Sequence, residues 1–327
     1  VIPPLLISYC YYQSSRGIGG LQAFVDRLLE EDGACLMIDS GAFTAWNAGI
    51  RIRLTTYIEA CKYFLESPRV WGCVQMDVIG DAIRSERNLY AMVKAGVRPM
   101  PVLTIDAPCD RIKEFQQINN RICISHLGNI KGSREGKQEW ERNRMRSAKG
   151  MVPTAELHGL AYIRSPAEIY SSGLTSCDST SHSVGERFGT MARFKQGHGI
   201  ENITPRNFAA ASAETMAWIK ECGCTNDDIH DDYLFRRGPC SFIAFAGAVA
   251  HGLQALQFRN HGIILFQAAS SWMWCARILI ALRFALPDGR FDFIKAREEL
   301  RCWQMKPRQR IGLLGETLQI LQERSWA

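Results

Sequence analysis

Short apolar runs alternate with amphipathic stretches through the first two thirds of the chain. Residues 5–12 read as a strand, followed by a helical stretch near 21–31, a strand at 34–39 and a helix at 54–66. The same beat continues with strand 71–78, a helix at 84–95 ended by Gly96, strand 99–105, helix 110–117 and strand 121–126. A polar helix at 135–147, strand 156–161, helix 166–171 and strand 174–178 complete the series. Strands alternating with helices of this length predict βαβ units and a parallel sheet. Six to seven such units exceed one nucleotide-binding half, and no G-x-G-x-x-G follows the first strand. The pattern therefore predicts an α/β fold, a (β/α)8 TIM-like barrel, rather than a doubly wound sheet.

Beyond residue 178 the pattern thins. A long polar loop precedes a helix at 206–220, and 263–266 is the candidate for the last strand. The tail, 290–326, reads as two helices joined at Pro307. We thus expect a barrel over 1–270, carrying an insert at 183–240, with C-terminal helices of 271–327 packing on it. The most apolar stretches, 241–258 and 263–286, are interrupted by His251, Gln254, Gln267, Arg277 and Arg283. A spanning helix needs about 20 apolar residues, so these stretches read as buried elements and no membrane partner is expected.

Composition changes this picture little. Of 327 residues, 46% are hydrophobic and 22% charged, a profile that excludes a disordered or collagen-like chain. The net charge of +6 permits a nucleic-acid partner without requiring one. Twelve scattered cysteines, several inside apolar runs, and no basic segment before the first strand predict reduced thiols in a cytoplasmic, soluble protein.

The acidic residues carry more. Asp39 ends the apolar run Cys-Leu-Met-Ile and precedes Ser40-Gly41-Ala42-Phe43. Asp77 ends Cys-Val-Gln-Met, and Asp178 ends Leu-Thr-Ser-Cys. Carboxylates at the C-terminal ends of different barrel strands converge on one mouth, where this fold builds its sites. A lone strand-end Asp merely caps the next turn, but three flanked by small residues suggest nucleophilic and acid/base work at a glycosidic carbon. His126 and His158 also end strands, each as fit for packing as for chemistry.

These residues carry a resemblance. Asp39-Ser-Gly-Ala-Phe43 resembles the D-S-G-G-F motif of the tRNA-guanine transglycosylase superfamily, and Met76-Asp77-Val-Ile-Gly80 sits where that family has its base-reading Asp. His126-Leu-Gly128 resembles its L-G-G turn. His158-Gly159 together with Cys177-Asp178-Ser-Thr-Ser181 is most similar to the phage-type branch, which resembles DNA 7-deazaguanine transglycosylases. The matches fall in family order over about residues 5–190. The resemblance implies exchange of guanine for a 7-deazaguanine, such as 7-cyano-7-deazaguanine, in nucleic acid, with DNA favoured over tRNA. It implies Asp178 as the nucleophile that forms a covalent glycosyl-enzyme and Asp39 as the acid/base group. Asp77 and Ser40 would bind the base edge, Phe43 would stack on it, and the Gly128 backbone would read it. His126 and His158 would lie close to the substrate.

Departures narrow the expectation. Thr44 stands where the tRNA enzymes have Gln, and the strand around Pro101 to Ile105 lacks another base-contacting Gln. The family's structural zinc set is represented by Cys222 and Cys224 alone, with Asp227 at the third position and His230, Cys240 or His251 left to complete it. No other cofactor is implied. Basic clusters at Arg142, Arg144, Arg146 and Lys149, at Arg187, Arg193 and Lys195, and at Arg301, Lys306, Arg308 and Arg310 are candidates for phosphate contacts. Partner proteins or a homodimer are left open. The alternatives are a glycosidase on the same frame, in which water replaces the incoming base, and a catalytically inert nucleic-acid-binding barrel.

Overall fold

The structure is a computed structural model that describes residues 4–12, 25–26, 35–125, 133–195, 199–208, 213–224, 233–238, 240–269 and 272–305. Its frame is an eight-stranded, all-parallel sheet. The strands are β1 (Leu5–Ser8), β2 (Leu36–Asp39), β3 (Val70–Cys73), β4 (Val102–Leu103), β5 (Arg121–Ile124), β6 (Glu156–Gly159) and β7 (Ser176–Ser179). An antiparallel hairpin, β8 (Met191–Lys195) and β9 (Gly199–Ile203), stands apart, and β10 (Ile264–Ala269) completes the sheet between β7 and β1. Sequence order is therefore kept around the curled sheet.

The sheet's two end strands, β3 and β4, meet through one parallel bridge, Val74 to Met100, rather than a full ladder. Gln75 N–H donates to the Met100 carbonyl at 2.9 Å, and Met100 N–H to that of Cys73 at 2.8 Å. A side chain does the rest. The fully buried Gln75 accepts Val102 N–H on Oε1 at 2.8 Å, and its Nε2 donates to the Ser85 carbonyl at 3.0 Å. Its amide oxygen takes the β4 N–H that the short strand would otherwise leave unmatched, and its NH2 ties the seam to α3.

Helices follow the strands: α1 (Ala42–Ala48), α2 (Leu54–Leu65), α3 (Ala82–Lys94), α4 (Ile112–Ile118), α5 (Arg134–Met151) and α6 (Pro166–Ser171). Their starts are written locally. Asp81 caps α3 by accepting Arg84 N–H, Ser133 caps α5, and Ser165 forms a capping box with Glu168 ahead of Pro166. After β7 come α7 (Val184–Phe188), α8 (Pro205–Phe208), α9 (Ala213–Glu221) and α10 (Phe242–Asn260), and after β10 come α11 (Trp272–Arg283) and α12 (Phe293–Met305). Helix α10 is buried on nearly every face, which is why 241–258 reads as apolar all round.

Side-chain alternation sets the two faces of the sheet. Leu6, Met37, Val74, Met100, Val102, Cys123 and Phe266 form one cluster on the inner face. Their neighbours Leu5, Ile7, Leu36 and Ile38 turn outward into a core that includes α10, α11 and α12. Leu103, Ile122, Ile124 and Leu157 turn outward into a second helix-covered core. Period two on both-side-buried strands is the expected packing for this architecture.

The structure departs from the sequence reading in identifiable places. The polar loop expected after Asp178 contains the β8–β9 hairpin, whose Met191, Ala192 and Phe194 are buried in the same core as α10. Residues 9–12 form a 3-10 turn instead of prolonging the first strand. The polar helix runs on to Met151, and along it Arg144, Arg146 and Lys149 donate to backbone carbonyls outside the helix. The second tail helix lies outside the described residues. Among the described residues no helix is long and apolar enough to cross a membrane.

Candidate active site

The next inward position beyond Leu6, Met37, Val102 and Ser176 brings Ser8, Asp39, Thr104 and Asp178 to the C-terminal rim of the curled sheet. Asp178 is 7% exposed and its Oδ1 is doubly held. His158 Nε2 lies 3.2 Å from it, and Ala161 N–H donates to it at 2.8 Å. His158 is fully buried, with Nδ1 2.9 Å from Ser176 Oγ. Nε2–H donating to Asp178 and Ser176 O–H donating to Nδ1 satisfies the whole chain of groups. Ala161 has φ 51°, the one positive value among described non-glycine residues. A left-handed alanine is unfavourable by about 1–2 kcal/mol, so the β6–α6 turn stores strain to aim this N–H. With two donors on Oδ1, Oδ2 is the oxygen left for a ligand.

Asp39 sits across the rim. Its Oδ2 accepts Gly41 N–H at 2.8 Å, closing a tight turn between β2 and α1. Gly41 is required twice over: φ is +77°, and an added Cβ would fall 2.4 Å from both Cys10 Cβ and Ser8 Oγ. Burial pushes the Asp39 carboxyl up to about 7, and the negative charges of Asp77 and Asp178 push in the same direction. That influence draws the three acids into one electrostatic cluster. Cys123, on the inner face of β5, feels the same three carboxylates, which together with burial push its thiol well above the ordinary range.

Asp77 rides on the loop after β3 and is pushed up to about 6 by burial. Helix α3 pins this loop. Val78 N–H donates to Ser85 Oγ at 2.8 Å, and Asn88 Nδ2 donates to the Met76 carbonyl at 2.9 Å. An open groove of about 860 Å³ is lined by Asp77 together with Trp46, Arg51 and Arg53. That volume falls within the range of small-molecule sites, about 300–1,000 Å³.

The remaining sequence-predicted residues divide. Phe43 is 59% exposed at the start of α1, its ring centroid 6.0 Å from that of Trp46. Ser40 is fully buried and accepts Ala42 N–H on Oγ at 3.2 Å, so its hydroxyl serves the turn and has no surface on the rim. His158 likewise has no open surface and touches the rim only through Asp178, so direct contact with substrate gives way to a supporting position. His126 and Gly128 lie outside the described residues.

Ser8 and Thr104 were not anticipated. Both are buried and their hydroxyl oxygens have no hydrogen-bond partner. Counting two residues on from Leu6 and Val102 finds them, but only once the inward face is known. Buried hydroxyls without partners beside three acids are groups a polar ligand would satisfy.

Cys222 and Cys224 are buried in the apolar core with Trp218 and Phe293, and burial pushes the Cys222 thiol up to about 12. Among the described residues no three potential ligands cluster; Asp227 and His230 lie outside them. The basic clusters are largely committed to the fold. Arg144 donates to the Thr104 and Ala107 carbonyls, Arg146 to that of Ser171, and Lys149 to that of Ala155. Arg193 is buried against Glu214, and Lys195 pairs with Glu201. Lys306, Arg308 and Arg310 lie outside the described residues.

Fold and site together define an α/β protein whose parallel, curled eight-stranded sheet gathers three acids at its C-terminal rim. Comparison with known proteins finds no matching family model, no matching curated protein and no matching solved structure.

Proposed function

We propose that this chain is a base-exchange transglycosylase on a (β/α)8 frame, replacing guanine in nucleic acid, DNA before tRNA, with a 7-deazaguanine. The observation that carries the reading is the pairing of Asp178, with one oxygen tethered and one open, with Asp39, whose carboxyl is tuned to about 7. In the first half-reaction Asp178 Oδ2 attacks C1′, the C1′–N9 bond breaks, and guanine leaves with a proton from Asp39. In the second, ionised Asp39 takes the proton from the incoming base, its nitrogen attacks C1′, and the bond to Asp178 breaks. Each half returns what the other uses, so proton and electron pair balance. An acid/base group near neutrality suits both directions, because either protonation state is then well populated at working pH. Asp77 would accept from the N–H groups of the base edge, with Thr104 and Ser8 as further partners. The base must leave its stack to reach such a rim.

The test is incubation of wild type, Asp178→Asn and Asp39→Asn with guanine-containing DNA or tRNA and labelled guanine or 7-cyano-7-deazaguanine. Nucleoside mass spectrometry reads the product. Incorporation by wild type alone, with a polymer–protein adduct lost in Asp178→Asn, is expected. Abasic sites without label uptake would make the protein a glycosidase; no change in either polymer, or full activity in Asp178→Asn, would refute the reading.

A further inference from the structure

The groove that opens at Asp77 has walls the exchange chemistry does not use. Trp46, on α1, is 54% exposed and Ile50, just after it, 50%, and both line the groove. Arg51, Arg53 and Arg84 line it too. Arg51 and Arg53 make no side-chain hydrogen bond or ion pair among the described residues. Arg84 has only Asp81, 3.9 Å away and itself open to solvent. This contrasts with Arg111, Arg121, Arg164, Arg193 and Arg283, each bound to a carboxylate. An exposed aromatic and uncommitted guanidinium groups lining one open trough are the recognition chemistry of single-stranded polynucleotides: a face for a base, cations for phosphates.

We infer that this groove is a binding site for the single-stranded nucleotides flanking the target base, with a base stacked on Trp46 and phosphates held by Arg51 and Arg53. The inference rests on the exchange reading only in taking Asp77 as the place where the target base enters. Continuity supports it: Asp77 belongs to the acid cluster and also lines the groove, so a strand delivering a base to the acids has these walls beside it. Two arginines in the lining, with no partner among the described residues, also fit a charged backbone better than a purely apolar partner. The arginines lie just after α1 and just before α2, so both sit on the strand-end side of the sheet with the acids.

Binding of fluorescein-labelled dT12 and rU12 to the full chain, followed by anisotropy across a salt series, tests it without requiring turnover. Arg51→Ala/Arg53→Ala should weaken binding and flatten the slope of log K against log salt by about 1.4, at about 0.7 per phosphate released. Trp46→Ala should weaken binding about 5- to 140-fold with the slope unchanged, the range of base stacking at 1.4 kcal/mol per decade. All three side chains are exposed, so the variants leave the core intact. Lys94→Ala, at the other end of α3, should bind as wild type does. Unequal affinity for the two oligomers identifies the polymer. Wild-type affinity and slope in both variants, an equal loss in Lys94→Ala, or no binding by wild type would overturn the site. Binding that depends on these residues, without label exchange, would keep the groove and remove the transferase.

Discussion

Replacing His158 by Phe tests whether Asp178 is a tethered nucleophile or a carboxylate that merely finishes a strand. The ring position is aromatic already, with Trp71 and Phe266 centroids 5.9 and 5.8 Å away, so phenylalanine keeps most of the packing. What disappears is one of two donors on Asp178 Oδ1, leaving Ala161 N–H alone. A hydrogen bond to a charged group contributes about 1.5–3 kcal/mol, which at 1.36 kcal/mol per decade is about a 13- to 160-fold loss in the glycosyl-transfer step. Ser176→Ala removes only the outer, neutral link, worth about 0.5–1.5 kcal/mol, and should cost about 2- to 13-fold. The double variant also removes the hydroxyl that His158→Phe leaves stranded in the core, and should recover stability without recovering rate. Single-turnover base release, with kcat and KM taken separately and urea unfolding as a control, reads all three. The losses belong in kcat, because a fully buried residue cannot touch the base. A loss confined to KM, or a His158→Phe rate within twofold of wild type, would refute the tether.

Four further outcomes concern the rim and the seam beneath it. Asp77→Asn removes a negative neighbour, so the limb that Asp39 contributes to the pH profile of kcat/KM should move down from about 7; an unmoved limb would separate the two acids. Because the folded-state value of Asp39 is raised, its unfolded form sheds the proton first, and stability is lost as pH rises from about 4 to about 7. Urea unfolding of Asp39→Asn should lack that part of the loss, and identical pH profiles would contradict the burial. Thr104→Val deletes an unpartnered buried hydroxyl, so unfolding free energy should hold or rise by up to about 1 kcal/mol while KM for the base rises; destabilisation by 2 kcal/mol would mean the hydroxyl already has a partner. Gln75→Leu leaves Val102 N–H unpaired and should lower unfolding free energy by about 1–3 kcal/mol in the same urea assay; an unchanged value would show that the β3–β4 bridge holds without it.

The strand–helix beat was legible because each strand is buried on both sides, leaving bare apolar runs such as Leu5 to Ile7 and Ile122 to Ile124 that turn residues set off. The strand-end acids were legible for the opposite reason: Asp39, Asp77 and Asp178 interrupt those runs with charges that only a rim can hold. The β8–β9 hairpin was not. Its Arg193 reads as polar but is buried, neutralised by Glu214 and laid over the Trp218 ring, a pairing between segments that no local pattern announces. The basic clusters failed as a guide for the same reason. A guanidinium is counted alike in sequence whether, like that of Arg144, it caps carbonyls between segments or, like those of Arg51 and Arg53, it faces water.

Seen from the chemistry, the division between legible and hidden residues follows one physical rule. A residue whose role depends on its own strand position shows in the sequence, because burial and periodicity mark that position. Asp39 belongs to this kind, and Gly41 beside it shows because only glycine tolerates both its φ and the approach of β1. A residue whose role depends on a partner from another segment does not show. His158 could be packing or ligand until Ser176 and Asp178, eighteen and twenty residues away, were seen to hold both its nitrogens. Ala161 could not be singled out at all, since a backbone N–H has no residue code and its strain appears only in φ. The supports of Asp178 are thus the part of the site that composition tolerates changing and geometry does not. Substitutions at position 161 that cannot hold a left-handed backbone should therefore impair transfer as surely as changes to the acids themselves.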